Sequence, residues 1–332
     1  MTQPTTDVIA IGNAIVDVMA PCADALIEEL GLSRGGMTLV DADQAKVLYD
    51  AMGPAREISG GSAANTLAGL ALLGAKCAFI GQVAEDQLGE VFAHDIRSGG
   101  ISFDTPVGPA NPPTGRCLIF VTPDGQRTMN TFLGASQFLP ASALDDKAIA
   151  DAQVLYLEGY LWDPEEPRNA MRRAIAAAKN AGRKVAFTLS AVFVIDRHRD
   201  DFNALINEGL IDILFANEEE LAALTGIEDC HEGLASLTGK VPTVVVTRGS
   251  QGALAVSEGQ QAQVAAQPIE RVVDTTGAGD LFASGFLFGL VRGRSLEDSL
   301  TLGSICAAEI ISHFGARPEV DLKALVSEKI GA

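Results

Sequence analysis

In the second half of the chain, from Ala141 onward, short apolar runs alternate with longer runs of helical period. That alternation constrains the fold more than any other feature. Helices are expected at 141–150, 165–181, 200–208 and 218–225, and strands at 154–158, 184–189 and 211–215. Strands that alternate with helices pair in parallel, because each crossover carries the chain back over the sheet. The expected fold is α/β: a Rossmann-like, doubly wound, mostly parallel sheet. Ligands on such sheets bind beyond the carboxyl ends of the strands.

The first half is less regular. Residues 7–11 form an apolar run that stops at Gly12, and Asn13 and Asp17 follow. Four positions apart, they share one face of a strand, and a solvated edge strand fits the pattern equally well. Helices are expected at 23–30 and 42–52, with a strand at 37–40. Ser59-Gly-Gly-Ser-Ala-Ala-Asn-Thr66 is a glycine-rich turn entering a helix of small and apolar residues at 67–73. Asn65 there needs either a polar partner or a capping role. A strand at 76–83 and a helix at 88–98, stopped by Gly99-Gly100, come next. Residues 105–115 are rich in Pro and Gly. Strand-like runs at 116–122 and 127–132 flank a Pro123-Asp-Gly125 turn. Segments 13–20, 35–41 and 102–134 are expected to form a small β-sheet lid over the core of a single domain, 1–332, with Gly134 as its return hinge. Two helices, 296–314 and 320–330, close the chain.

The chemistry concentrates in Val272 to Gly285. Strands at 243–247 and 253–257 precede it and an apolar helix at 281–291 follows. Gly277-Ala278-Gly279 lets backbone approach a ligand closely, and a helix start aims free N–H groups and a favourable dipole at an anion. Asp280 is either a helix cap or a base held beside a phosphate. Asn217 and Glu220 add oxygen ligands. The Gly239-Lys240 pair lacks the upstream glycine of a Walker loop, and Gly12-Asn13-Ala14 is not a dinucleotide fingerprint. With 43 acidic and 24 basic residues the net charge is −19. Such a surface repels phosphate backbones, so neither nucleic acid nor a membrane is the expected partner, and any phosphate site must be built locally. Five scattered cysteines without a CxxC pair suit a reducing, cytoplasmic setting. The first seven residues carry no signal-peptide pattern, and no apolar run reaches spanning length. An anion hole, an acid beside it and oxygen ligands fit phosphoryl transfer, where catalysis is positioning and electrostatics.

Gly60-Gly-Ser-Ala-Ala-Asn-Thr66, Asn217-Glu-Glu-Glu220, Val246-Thr-Arg-Gly249 and Asp274-Thr-Thr-Gly-Ala-Gly-Asp280, in that order, resemble the ribokinase-like (PfkB) carbohydrate and nucleoside kinases. The resemblance covers about residues 8–318. It implies a ribokinase-like fold, ATP and Mg²⁺. It implies Asp280 as general base and Gly277, Ala278 and Gly279 as the anion hole. Asn217 and Glu220 would lie near the phosphates, with Glu220 meeting Mg²⁺ through water. Thr247, Gly249 and Gly252 would line the nucleotide site. Asn13, Asp17, Gly61, Ser62 and Asn65 would meet the acceptor.

Within the family the chain is most similar to adenosine kinases, through residues 12–17, 113–117, 189–193 and 212–218. Residues 127–135 resemble a lid segment whose arginine, here Arg127, reaches the transferred phosphate. Phe193 would stack on a purine. Phe132 and Tyr160 are lesser candidates, and Tyr160 is read as packing. Many adenosine kinases carry a base-reading glutamine where this chain has Met37. The implied activity is phosphoryl transfer from ATP to the 5′-hydroxyl of adenosine. The alternatives are a sugar or another nucleoside as acceptor, or a nucleoside-binding protein without catalysis. A monovalent cation (K⁺) near Asp274 and a monomer or homodimer are left open.

Overall fold

A computed structural model describes residues 4–330; the ends of the expected 1–332 domain, residues 1–3 and 331–332, lie outside the described residues. The chain opens with β1 (Thr6–Ile11), β2 (Ile15–Pro21), α1 (Asp24–Glu29), β3 (Met37–Leu39), α2 (Ala42–Ala51) and β4 (Arg56–Gly60). Next come α3 (Ser62–Leu72), β5 (Cys77–Ile80), α4 (Gln87–Ser98), β6 (Ile101–Phe103), β7 (Gly115–Val121) and β8 (Arg127–Phe132). The alternating part follows: α5 (Asp146–Ala150), β9 (Ala152–Glu158), α6 (Glu165–Asn180), β10 (Lys184–Thr188), α7 (Val192–Asn207), β11 (Ile213–Asn217) and α8 (Glu218–Thr225). The chain ends with α9 (Cys230–Leu237), β12 (Thr243–Thr247), β13 (Ala253–Ser257), β14 (Gln260–Val264), α10 (Ala278–Val291), α11 (Leu296–Ile310) and α12 (Leu322–Ile330).

These strands form two sheets. The larger has nine strands in the order β14-β13-β12-β11-β10-β9-β1-β5-β6. It is parallel from β6 to β12, and β13 and β14 extend one edge by antiparallel pairing. The chain order turns at β1, which lies between β5 and β9, so a crevice opens there beyond the strand ends. Both faces are covered. Val8 and Ala10 of β1 join the core that includes Leu67 of α3 and Phe286 of α10, while Ile9 and Ile11 join Trp162, Phe187 and Phe202 on the other side. Period-two alternation of apolar residues on both faces is what a buried central strand requires.

The smaller sheet has five strands in the order β3-β8-β7-β2-β4. Val16, Val18, Leu118 and Phe120 point into the main core. Ile15, Cys117 and Ile119, with Met19, Met129 and Leu133, form a separate apolar patch on the opposite face. This sheet is therefore covered on one side only.

Several expectations need correction. Ile101–Phe103 pairs with β5 in the large sheet, so the small sheet takes up the chain again at Gly115 and not at 102. Its fifth strand, β4, was not expected; Arg56 to Gly60 has no apolar alternation and gains its place by pairing with β2. Asn13 and Asp17 do not share a strand. Gly12, Asn13 and Ala14 form a break, in which the Asn13 N–H turns to the Glu158 carboxylate at 2.8 Å. Helix α7 begins at Val192, well before 200, and continues through a kink at His198.

Candidate active site

A cavity of about 510 Å³ lies between the carboxyl ends of the parallel strands and the uncovered face of the small sheet. Asp280 sits on its floor in the first turn of α10. Gly277 precedes that helix at φ +79°, a left-handed conformation that glycine adopts without strain, and Cβ at this position would come within 3.0 Å of the Ala316 methyl. Residues 275 to 280 all line the cavity, so the helix start borders it; its first N–H groups have no intrahelical acceptor, and that of Ala278 turns to the Thr275 carbonyl at 3.2 Å.

Both oxygens of Asp280 are held. Ser62 Oγ donates to Oδ1 at 2.7 Å and Asn65 Nδ2 donates to Oδ2 at 3.0 Å. Burial pushes its carboxyl up, and these two hydrogen bonds with the Arg317 charge offset only part of that. Asp17 reaches the same floor from β2. Burial pushes it to about 6, against the pull of Arg127 and Arg317, and Asp280 adds to the push. The charge of Asp280 is therefore felt at Asp17.

A third acid, Glu158, stands at the end of β9 and also lines the cavity. It accepts from Asn13 N–H at 2.8 Å, Asn13 Nδ2 at 2.7 Å and Ala63 N–H at 2.8 Å. Burial still raises its carboxyl to about 7. Asn13 Oδ1 accepts from Ser136 Oγ at 2.8 Å, so the Asn13 amide is locked at both ends. Gly61 sits at φ +98°, where Cβ would lie 2.2 Å from the Asn13 carbonyl oxygen. Only glycine lets α3 start so close to that loop.

The opposite end carries Asn217, Glu220 and Thr247. Asn217 caps α8 by accepting from the Glu220 N–H at 2.8 Å. The Glu220 carboxylate accepts in return from the Asn217 N–H at 3.1 Å and Nδ2 at 2.9 Å. Burial lifts Glu220 to about 7. Among the described residues no three His, Cys, Asp or Glu side chains group as a metal site. Mg²⁺ does not need one, because it keeps several waters and takes one or two carboxylates plus substrate phosphates. A Glu220 carboxylate with accepting capacity left on each oxygen fits that water-mediated role.

Three expected site residues do not line the cavity. Gly249 and Gly252 lie on the short turn between β12 and β13, beyond Thr247. Arg127 is 6% exposed and ion-paired with Asp274. A guanidinium so buried needs an anionic partner, and Asp274 is the one at hand. Asp274 also accepts from Thr276 N–H at 2.9 Å and Gly315 N–H at 3.1 Å. Burial pushes the Asp274 carboxyl up, but these bonds and the Arg127 charge outweigh it and hold it below its usual range. Arg127 thus ties β8 to the loop before α10.

Phe193 and Tyr160 both line the cavity, with ring centroids 6.1 Å apart. The packing role expected for Tyr160 is therefore incomplete. Phe132 is buried away from the cavity, with the Arg116 guanidinium 6.0 Å from its ring. Sequence reasoning missed Glu158 and Arg317. An acid closing the apolar run 154–157 was a usable signal for the first. Arg317 had none, since its hydrogen-bond partners Ser59, Ala64 and Asn65 lie 252 to 258 positions away in the chain.

A sequence profile of pfkB family carbohydrate kinases matches residues 40–322. The chain belongs to the pfkB family of carbohydrate kinases. A solved adenosine kinase from Sinorhizobium meliloti is 46% identical, with a TM-score of 0.89 and coverage of 98% of this chain and 99% of that one. A probable sugar kinase from Rhizobium etli CFN 42 is 44% identical, with a TM-score of 0.91 and coverage of 99% of both chains. A fructokinase from Klebsiella pneumoniae is 29% identical over 287 residues, 83% of this chain and 93% of its own. This pfkB kinase therefore has the ribokinase-like α/β fold and is an ATP-dependent kinase of a sugar or a nucleoside. Kinases of this family use ATP, typically with Mg²⁺. Among the described residues no helix is long and apolar enough to cross a membrane.

Proposed function

We propose that this kinase transfers the γ-phosphoryl group of ATP to the 5′-hydroxyl of adenosine, giving AMP and ADP. The observation that carries the reading is the apolar and aromatic half of the cavity. Phe193 and Tyr160 lie at one side, and Ile15, Ile119, Met129 and Leu133 of the small-sheet region face inward. A flat heterocycle buries well against such surfaces, and stacking on a ring contributes ~1–3 kcal/mol per base. A free sugar would leave that wall without a partner. The 46% identical adenosine kinase supports the same acceptor.

In this reading Asp280 takes the proton of the attacking hydroxyl as its oxygen bonds to the γ-phosphorus and the bond to the ADP oxygen breaks. A carboxyl raised by burial is a better base near neutral pH than an ordinary one. Ser62 and Asn65 fix its two oxygens, while Asp17, Asn13 and Gly61 hold the acceptor. The N–H groups of Gly277, Ala278 and Gly279 take up charge on the transferring group. Asn217, Glu220 and Thr247 lie toward the nucleotide. Bound Mg²⁺ would supply neutralisation of phosphate charge, held through water at Glu220. Arg127 acts through the Asp274 loop it braces, and since it already neutralises Asp274, no K⁺ is required there. The small sheet serves as a lid that excludes water. The reaction belongs in the cytoplasm, in keeping with five free cysteines.

The test is a coupled ADP-release assay with Mg²⁺ and adenosine, inosine, guanosine, ribose and fructose in parallel. Rapid turnover on adenosine alone at micromolar concentration is expected. Faster turnover on a sugar overturns the acceptor and leaves the kinase. One observation favours that second reading: Met37 lines the cavity but offers no polar group to a base edge.

A further inference from the structure

A single arginine outside every motif braces the groups around the base. Arg317 lies between α11 and α12. Its Nη1 donates to Asn65 Oδ1 at 2.8 Å and to the Ala64 carbonyl at 3.2 Å. Its Nη2 donates to the Ser59 carbonyl at 2.6 Å and to Ser59 Oγ at 2.9 Å. Ser59 passes its own N–H and hydroxyl to Asp95 on α4. One guanidinium therefore joins the end of β4, the start of α3 and, through Ser59, α4.

An asparagine amide has one accepting end and one donating end. Arginine can only donate, and an ionised carboxylate can only accept. Asn65 lies between Arg317 and Asp280, so a single orientation satisfies both: Oδ1 toward Arg317 and Nδ2 toward Asp280 at 3.0 Å. Turned over, the amide would set N–H against N–H and oxygen against carboxylate. The charge of Arg317 also acts where it is needed. The acids it influences are Asp17 on β2, Asp95 on α4 and Asp280 on α10. Arg127 adds to it at Asp17, while Glu158, Tyr156 and Tyr160 complete the titratable groups that feel Asp280.

We propose that Arg317 is a positioning residue for phosphoryl transfer: it locks the Asn65 amide so that Nδ2 aims Asp280, and it sets one fixed cation beside the Asp17–Asp280 pair. The inference rests on Asp280 being the base. It concerns a residue outside the lining of the cavity and holds whether the acceptor is a nucleoside or a sugar.

The experiment compares Arg317→Gln, Arg317→Lys, Asn65→Leu, the Arg317→Gln/Asn65→Leu double variant and Asp280→Asn. Each is assayed with ATP, Mg²⁺ and whichever of adenosine, ribose or fructose the wild type turns over fastest. Arg317→Gln should lower kcat roughly 10- to 100-fold, the scale of a slightly misplaced reacting group, with KM for ATP unchanged. The acid limb of its kcat/KM profile should move to higher pH, because the lost cation no longer favours the ionised acids. In the Asn65→Leu background the same change should cost less than about 3-fold, since the two residues act as one unit. Arg317→Lys keeps the charge, so its acid limb should stay in place while kcat falls.

Equal losses in both backgrounds, or a loss of kcat without a shifted acid limb, would make Arg317 merely structural. An inactive Asp280→Asn beside a fully active Arg317→Gln overturns the role of Arg317 alone. Near-normal turnover in Asp280→Asn removes the base reading, and this proposal with it. If Arg317→Gln fails to fold, Arg317→Lys decides, and an unchanged kcat there overturns the idea.

Discussion

The floor of the cavity and the wall above it are built in opposite ways. On the floor, Asp280 accepts two hydrogen bonds, Glu158 accepts three and the Asn13 amide is held at both ends. These groups stand on elements of the large sheet and its helices, which are packed on both sides. The wall is the uncovered face of the small sheet, where Ile15, Ile119, Met129 and Leu133 line the cavity without such bonds. A polar network with fixed partners has one favourable arrangement, whereas an apolar face accepts whatever fills it. Under the proposed function, the floor fixes the reaction geometry and holds the acceptor's hydroxyls, and the wall takes the rest of the acceptor.

The sharpest way to break that division is Asp280→Asn, expected to cut kcat by ~10²–10⁴-fold, the scale of a lost acid–base group. Acceptor binding measured by calorimetry should stay within a few-fold, about the size of a minor contact. If binding collapsed together with turnover, the floor would be selecting as well as reacting. Gly61→Ala comes next. It forces a side chain into a positive-φ site against the Asn13 carbonyl and should cost about 1–3 kcal/mol of stability, read as a lower denaturant midpoint. An unchanged midpoint would mean that the floor is looser than its contacts imply.

On the wall, Met129→Ser should raise KM for adenosine ~10-fold, from about 1.5 kcal/mol of lost apolar burial, and leave KM for ATP alone. An equal rise in both KM values would mean that the wall serves ATP as well as the acceptor. The smallest effect is on stability against pH. The Glu158 carboxyl rises from 4.5 to about 7 on folding. Its contribution is thus fully present below about 4.5 and is lost as pH climbs through about 7. The melting temperature should decline from pH 5 to pH 8, and Glu158→Gln should flatten that decline. A slope indifferent to the substitution would clear Glu158 of the effect.

The same contrast separates what the sequence shows from what it hides. The alternating half is legible because buried parallel strands and their helices carry strong apolar periods, and the order from β9 to α8 follows the expected one. Gly61 and Gly277 are legible because a helix start at a close approach admits little else. The small sheet is legible only in part. β4 is five residues without alternation, held by β2 rather than by its own pattern. Charged partnerships were the least visible. Arg127 and Asp274 are 147 positions apart and Arg317 and Asn65 are 252 apart, separations no local pattern encodes. Arg127 was expected at a phosphate because its strand is recognisable, while the carboxylate that receives it belongs to a different motif.

The pairing of Arg127 with Asp274 has a consequence for protein engineering. Positions 127, 129 and 131 share one face of β8, and Met129 and Thr131 line the cavity while Arg127 is committed to the loop before α10. A library that reshapes acceptor preference can vary 129 and 131 freely. One that drifts a single strand repeat further, to 127, would cut the tie to the loop before α10 as well, and under the proposed function its hits would be detuned catalysts scored as poor binders.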